Sequence, residues 1–158
     1  DNWRWAGVPI YMRTGKKLFE TVLEVVVEFN KPPRELFGKS EANLLRFRLG
    51  ANDGVDISLQ AKEPGTKLLT RQVDLTVEFA HEFGERQGPY ERLLNAAIVG
   101  DHFRFTRIDA VLHSWKILDE LLKRPTQLHP YFEGTWGPDN AEALVPNGWA
   151  PVGSQVNR

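Results

Sequence analysis

Residues 44–60 read LLRFRLGANDGVDISLQ, and this stretch decides the fold class. Apolar and polar side chains alternate over residues 44–49 and again over residues 55–60, which is the period of a half-buried β-strand. Asn52-Asp53-Gly54 lies between the two runs, and Asp-Gly is a strong hairpin signal because glycine accepts the positive φ of the turn. The stretch therefore predicts two neighbouring antiparallel strands.

The same alternation occurs on both sides of this hairpin, over residues 22–29 (VLEVVVEF) and residues 73–79 (VDLTVEF). Glu63-Pro64-Gly65 marks a further turn, since proline presets φ and glycine relieves the strain. Short connections favour an antiparallel sheet, because parallel strands need crossovers of about a dozen residues or more. One face of this sheet is repeatedly polar, so we expect it to be wet or covered by a polar partner.

Two helices are predicted after the strands. Residues 89–99 begin with proline and are followed by Gly100, which suit a helix start and a C-terminal cap. The second helix covers residues 107–123, with Thr106 as N-cap and Asp109 in a capping-box-like position. Strands first and helices after indicate an α+β fold in one domain. We expect burial of the apolar stripe on the second helix, which consists of Ile108, Val111, Leu112, Trp115, Leu118, Leu121 and Leu122.

The composition excludes several classes of protein. A chain of 158 residues with 41% hydrophobic and 26% charged residues can bury a core, which argues against wholesale disorder. A formal net charge of −1 argues against nucleic acid as a main partner, and no apolar run is long enough for a membrane span. The absence of cysteine excludes a disulfide framework and fits a reducing cytoplasm. The chain begins at Asp1 rather than Met, so we expect it to be a piece of a longer protein.

Arg13-Thr14-Gly15-Lys16-Lys17 is the most concentrated cationic group of the sequence. Three cations and a hydroxyl on a short bend are suited to hold a phosphate or a carboxylate. The alternative is a solvated turn before a strand, since charge clusters usually only face water. The upstream glycines of a P-loop are missing, so the group is not one.

Other reactive residue types predict no site. The four histidines lack the spacing of metal ligands: His81, His102, His113 and His129. No pair of carboxylates is spaced for acid–base work, and no nucleophile elbow is present. Residues 134–138 (GTWGP) form a turn-rich aromatic segment, which we expect to be a tail packed on the sheet because aromatic side chains dominate burial.

Six blocks of sequence, in order over nearly the whole chain, resemble glucose-6-phosphate dehydrogenases. The first, residues 1–16, reads DNWRWAGVPIYMRTGK and is similar to the family pattern DN-x-RW-x-GVP followed by RxGK. The others are NDGV (52–55) with KEPG (62–65), VDLT (73–76), YERLL (90–94), FTRID (105–109) with Trp115, and YFEGTWGP (131–138). Such a resemblance identifies the chain as a member of that family.

The resemblance implies an enzyme that oxidises glucose 6-phosphate to 6-phosphogluconolactone with NADP, the entry step of the oxidative pentose phosphate pathway. It implies that residues 1–158 are the C-terminal, substrate-binding and dimerisation part, inactive alone, because the family's coenzyme turn and catalytic histidine motif lie upstream. It also implies a large, mainly antiparallel sheet with helices packed on one face, in a homodimer or homotetramer. No catalytic residue, metal, nucleic acid or membrane partner is expected for this part.

The resemblance also assigns roles to individual residues. In the family the lysine of RxGK contacts the bound sugar phosphate, so Lys16 inherits that role, and Lys17 and Arg13 are expected to be substrate-binding residues with it. Arg13 would act either by bracing the loop or by lining a nearby anion site. The sequence departs from the family pattern at Thr21, where a basic residue is frequent, and at Gly50, where a glutamine is usual.

Some members of the family bind a second, structural NADP against the sheet. Arg13, Arg48 and Asp74 match residues used there, whereas Val22 and Val26 stand where basic residues are needed. Two further hypotheses stay open beside the dehydrogenase. One is a non-catalytic module that uses the RTGKK turn for another anion, and the other is an oligomerisation domain with the same fold.

Overall fold

A computed structural model of the chain describes residues 3–34, 38, 41–50, 52–84, 87–124 and 126–152, with only the backbone of Phe83. Asp1 and Asn2, which open the first family block, lie outside these ranges. The elements are β1 (Glu24–Glu28), β2 (Leu44–Arg48), β3 (Gly54–Lys62), β4 (Thr70–Glu78), α1 (Phe79–Phe83), α2 (Pro89–Val99) and α3 (Ile108–Leu122), with 3₁₀ turns at His102–Arg104 and Asp139–Leu144. The predicted α+β order of strands and then helices is confirmed, and α1 is an addition to it.

The four strands form one antiparallel sheet in the order β1-β2-β3-β4. Leu45 pairs with Val27 on one side and with Ile57 on the other, and Ile57 in turn pairs with Leu75. This register brings the apolar positions of all four strands to one face, as the alternation predicts. That apolar face consists of Val25, Val27, Leu45, Phe47, Val55, Ile57, Leu59, Val73, Leu75 and Val77.

The hairpin between β2 and β3 is present, but its glycine acts differently from the prediction. Gly54 is the first residue of β3, and among the described residues of this connection the positive φ belongs to Gly50, at 116°. A Cβ at Gly54 would lie 2.3 Å from the carbonyl oxygen of Val77, so this position needs glycine for close packing of backbone against backbone. The predicted turn glycine between β3 and β4 is confirmed, since Gly65 has a φ of 116°.

The polar face of the sheet is partly covered by this chain and partly wet, since the polar side chains of β4 at positions 72, 74, 76 and 78 are exposed. Arg46 is 5% exposed and forms an ion pair with Glu24, while its other terminal nitrogen donates to the carbonyl oxygen of Pro151 at 2.6 Å. The backbone at Pro151 therefore lies against the polar face at Arg46. The apolar face is open, with Val25 50% exposed and Leu75 52% exposed.

Residues 1–79 together with 129–158 form one compact unit, and residues 80–128 form a second. In the second unit α2 has the predicted boundaries and ends at Gly100, whose φ of 73° gives a left-handed cap. The amide of Asp101 then donates to the carbonyl oxygen of Ala96 at 2.8 Å, which closes the helix end. Ala96 is the one buried apolar residue in the part of the chain that the structure describes.

The apolar stripe of α3 is exposed, so the expectation that it is buried was wrong for this chain. Ile108 is 72% exposed, Trp115 61% and Leu122 72%. Periodicity identifies which side chains share one side of a helix, but burial requires a second surface to cover them. An amphipathic helix with its apolar stripe open is typical of a surface that packs against a partner.

The start of α3 also differs from the prediction. The N-cap is Arg107 rather than Thr106, and no side-chain cap bond is formed there. The Arg107 guanidinium instead binds both carboxylate oxygens of Asp109, at 3.0 Å and 2.8 Å. This bidentate pair lowers the pKa of Asp109 from its ordinary value, and the bond from the Ala110 amide acts in the same direction. The arginine thus takes the carboxylate that a capping box would use.

Candidate functional site

The cationic group of residues 13–17 lies on an irregular stretch before β1, and two of its three charges are neutralised within the chain. Arg13 Nη2 lies 3.0 Å from Glu142 Oε1, and Lys17 Nζ lies 2.9 Å from Glu133 Oε2. The Lys16 side chain is exposed and forms no hydrogen bond or ion pair with any residue that the structure describes. Lys16 is therefore the one ammonium of the group that no carboxylate of the described residues pairs with.

Arg13 is held by aromatic rings as well as by its carboxylate. Its side chain is 15% exposed, and its Cζ lies 4.0 Å from the ring centre of Trp149 and 5.9 Å from that of Trp136. A desolvated cation–π contact is worth about 2 kcal/mol. Of the two roles that the sequence leaves open for Arg13, this geometry favours bracing over binding an external anion.

Residues 13–19, here named the lysine loop, are tied along their backbone to residues 131–149, here named the C-terminal strap. The Tyr131 hydroxyl donates to the carbonyl oxygen of Lys16 at 2.7 Å, and the Gly134 amide donates to the carbonyl oxygen of Lys17 at 3.0 Å. The Phe19 amide donates to the carbonyl oxygen of Thr135 at 3.0 Å. These three bonds join segments more than a hundred residues apart.

Lys17 has a φ of 55°, a left-handed conformation that it shares with no other non-glycine residue in the described ranges. A lysine in this region costs roughly 1–2 kcal/mol, so surrounding contacts must hold it there. The bond from Gly134 to its carbonyl oxygen and the ion pair with Glu133 are such contacts. The bend at Lys17 lies immediately after Lys16 and determines where the loop turns.

A cavity of about 230 Å³ lies between the lysine loop and the C-terminal strap. Its walls are mostly apolar and include Met12, Leu18, Trp136, Leu144 and Trp149. The volume falls below the range of about 300–1,000 Å³ that ligand pockets usually have. The cavity therefore suits the packing of the two segments better than a large ligand such as a dinucleotide.

The three residues matched to a second, structural NADP do not fit that group as they are arranged here. Arg13 is engaged as described above, and Arg48 Nε lies 3.0 Å from Asp56 Oδ2. Asp74 accepts a hydrogen bond from Gln72 and lies on β4, with β3 between it and Arg48. The β3 residue that pairs with Asp74 also pairs with Leu44 of β2. Leu44 lies four residues from Arg48 on that strand, which separates the two positions by about 13 Å. A phosphate-rich coenzyme needs several free cations together, and these positions do not supply them.

The remaining candidate residues form no further site. His113 Nδ1 lies 2.7 Å from the carbonyl oxygen of Asp109, which is an ordinary contact within α3. Within the described ranges, no group of three His, Asp or Glu side chains could hold a metal ion. Among the same residues, no helix is long and apolar enough to cross a membrane.

Four residues that the structure brings to the lysine loop have no site role predicted from the sequence: Tyr131, Glu133, Glu142 and Trp149. Residues 134–138 are predicted from the sequence to pack on the sheet. The structure places Trp136 beside Phe19, with ring centres 5.9 Å apart, and beside Arg13. The signal that could have found these contacts is composition, because the strap combines aromatic and acidic residues that complement a cationic loop.

Comparison with known proteins gives a consistent result. The family model "Glucose-6-phosphate dehydrogenase, C-terminal domain" matches residues 1–149. Glucose-6-phosphate 1-dehydrogenase 1 of Mycobacterium tuberculosis is 38% identical over 99% of this chain and 35% of the relative. The corresponding enzyme of Rhizobium meliloti is 40% identical over 92% of this chain and 32% of the relative.

Two solved structures share the fold. A crystal structure of glucose-6-phosphate 1-dehydrogenase from Mycobacterium avium superposes with a TM-score of 0.81 at 36% identity, covering 97% of this chain and 34% of the other. A glucose-6-phosphate dehydrogenase in complex with its substrate glucose 6-phosphate superposes with a TM-score of 0.76 at 29% identity, covering 93% and 32%. The chain thus spans about a third of the length of the proteins it matches.

Proposed function

This chain belongs to the glucose-6-phosphate dehydrogenase C-terminal domain family, and on that premise we propose that it is the sugar-phosphate-binding part of such a dehydrogenase. The enzyme would oxidise glucose 6-phosphate to 6-phosphogluconolactone in the cytoplasm, and NADP would accept the hydride. The observation that carries the proposal is the state of Lys16. It is the one charge of the lysine loop that is not already paired with a carboxylate of the described chain.

Lys16 would bind the phosphate of the sugar. An ammonium is a compact point charge with three donors, which suits a phosphate dianion whose oxygens point in several directions. Holding the phosphate at one end of a hexose orients the reacting carbon at the other end, which lowers the entropy cost of the reaction. The chain would thus contribute binding and orientation, and hydride transfer would take place elsewhere in the enzyme.

Lys17 and Arg13 would have supporting roles at this site. The Lys17–Glu133 pair is exposed, with 70% of each side chain accessible, so the ammonium exchanges easily between Glu133 and an incoming anion. Its charge would raise the local concentration of sugar phosphate. Arg13, enclosed by Glu142 and Trp149, would brace the lysine loop rather than touch the substrate.

The proposal is tested by comparing the protein expressed from the complete gene with residues 1–158 alone. We expect the former to form NADPH with glucose 6-phosphate and not with glucose, because the lysine loop recognises the phosphate. We expect no NADPH from residues 1–158, since none of the four histidines matches the family's catalytic motif. Turnover by residues 1–158 above a no-protein control, or no turnover by the complete protein, would contradict the proposal.

We also propose that the protein is a homodimer that associates through the sheet. The support is the open apolar face, on which Val25, Leu75 and Val77 are 50%, 52% and 43% exposed. Monomeric proteins rarely expose contiguous apolar patches of more than a few hundred Å², and larger ones mark interaction sites.

Leu75→Asp in the complete protein is expected to shift the species seen by light scattering from dimer to monomer, because a carboxylate is costly to bury in an apolar interface. Lys67→Asp is the matched control, since Lys67 is exposed in the turn between β3 and β4. The unmodified protein remaining monomeric at high concentration would refute the association.

A further inference from the structure

The position of Lys16 depends on a segment at the other end of the sequence. The Tyr131 hydroxyl is the one side-chain group among the described residues that bonds to the Lys16 backbone, at 2.7 Å from its carbonyl oxygen. Two other residues of the C-terminal strap form hydrogen bonds to the lysine loop through their backbones, Gly134 with Lys17 and Thr135 with Phe19. A side-chain substitution at Tyr131 can therefore remove this hydrogen bond and leave the two backbone hydrogen bonds in place.

We propose that Tyr131 is a positioning residue that places Lys16 for the sugar phosphate, and this inference rests on the function proposed above. Tyr131 does not need to touch the substrate for this role. Lysine has four rotatable side-chain bonds, so an ammonium reaches a defined point only when the backbone beneath it is held. The Tyr131 bond holds that backbone at Lys16 itself, one residue before the left-handed bend at Lys17.

The surrounding contacts make the strap firm enough for this task. Trp149 packs on the Arg13 guanidinium and lies edge-on to Tyr11, with ring centres 6.4 Å apart. Glu142 pairs with the same guanidinium from the 3₁₀ turn Asp139–Leu144. The strap thus holds the loop at Arg13 and at Lys16–Lys17, and the second of these points carries the proposed phosphate ligand. A residue that acts on binding must sit on such a rigid support.

The experiment compares Tyr131→Phe with Tyr11→Phe in the protein expressed from the complete gene. Both tyrosines are about equally exposed, at 41% and 44%, but the Tyr11 hydroxyl makes no hydrogen bond to the described residues. Tyr131→Phe keeps the ring and removes one hydrogen bond, which predicts a KM for glucose 6-phosphate about two- to tenfold higher. The KM for NADP should stay unchanged, and Tyr11→Phe should change neither constant.

A double-mutant cycle separates positioning from a general structural effect. If Tyr131 acts through Lys16, Tyr131→Phe should have no further effect on the KM for glucose 6-phosphate once Lys16 is alanine. If instead each substitution raises the KM for glucose 6-phosphate by its own factor and the two factors multiply in the double variant, the proposal is overturned. An unchanged KM in Tyr131→Phe, with a raised KM in Lys16→Ala, would overturn the positioning role alone. An unchanged KM in Lys16→Ala would overturn the proposed function together with this inference.

Discussion

Replacing Lys16 by alanine should raise the KM for glucose 6-phosphate about 10- to 150-fold in the protein expressed from the complete gene. This range corresponds to the loss of a hydrogen bond between charged groups, which is worth about 1.5–3 kcal/mol. The ammonium of Lys16 is unpaired within the described chain, so its removal leaves no carboxylate stranded and the fold should persist. The KM for NADP should stay within about twofold of its original value, because the lysine loop is proposed to hold the sugar only.

Two controls sharpen this measurement. Lys67→Ala removes the same charge from an exposed turn remote in sequence, and it should leave both KM values unchanged. Lys16→Arg keeps the charge but replaces a compact ammonium by a planar fork, so its KM should fall between the original value and that of Lys16→Ala. Equal increases in the two KM values of Lys16→Ala, or no increase in either, would rule out Lys16 as the phosphate ligand.

Arg46→Ala should lower the free energy of unfolding of the purified chain by about 3–5 kcal/mol, as measured by equilibrium unfolding in urea. Arg46 and Glu24 have side chains only 6% and 10% exposed, and Arg46 also donates to the carbonyl oxygen of Pro151. Removing the guanidinium leaves a carboxylate covered by protein without its counter-charge. Domains are usually stable by only about 5–15 kcal/mol, so much of the stability would be lost.

The comparison with Arg48 tests whether burial is the cause. Arg48 lies on the same face and pairs with Asp56, but these side chains are more exposed, at 25% and 15%. Arg48→Ala should therefore cost less than Arg46→Ala, because water compensates part of the loss. The double substitution Arg46→Met with Glu24→Leu should recover most of the stability, since neither charge is then left alone. A loss below about 1 kcal/mol in Arg46→Ala would show that the pair contributes little.

The strands and α2 could be predicted from the sequence because their signals are local. Alternation over residues 44–49 and 55–60 reports which side chains share a face, and the observed pairing of Leu45 with Ile57 follows from it. Pro89 and Gly100 mark the ends of α2 through backbone properties that belong to single residues. The family resemblance added the role of Lys16, which spacing alone did not separate from that of a solvated lysine.

The contacts of the lysine loop could not be predicted in the same way. Arg13 and Glu142 are separated by 129 positions, and no local rule connects two such residues. The left-handed φ of Lys17 is equally hidden, because lysine has no preference for that conformation and only the bonds from the C-terminal strap hold it. The same limit explains Gly54, whose need for glycine comes from a carbonyl oxygen on β4.

The sequence by itself determined the order of the elements, the two faces of the sheet and the cationic loop, because each depends on residues close together in the chain. Only the tertiary structure decided which charges of that loop remain unpaired among the described residues and which part of the polar face is covered. Both depend on where residues 131–152 lie: the strap neutralises Arg13 and Lys17, and Pro151 covers Arg46 on the polar face. Lys16 has no partner among the described residues, and the sequence could not show this because pairing and burial depend on neighbours in space rather than on the order of residues along the chain.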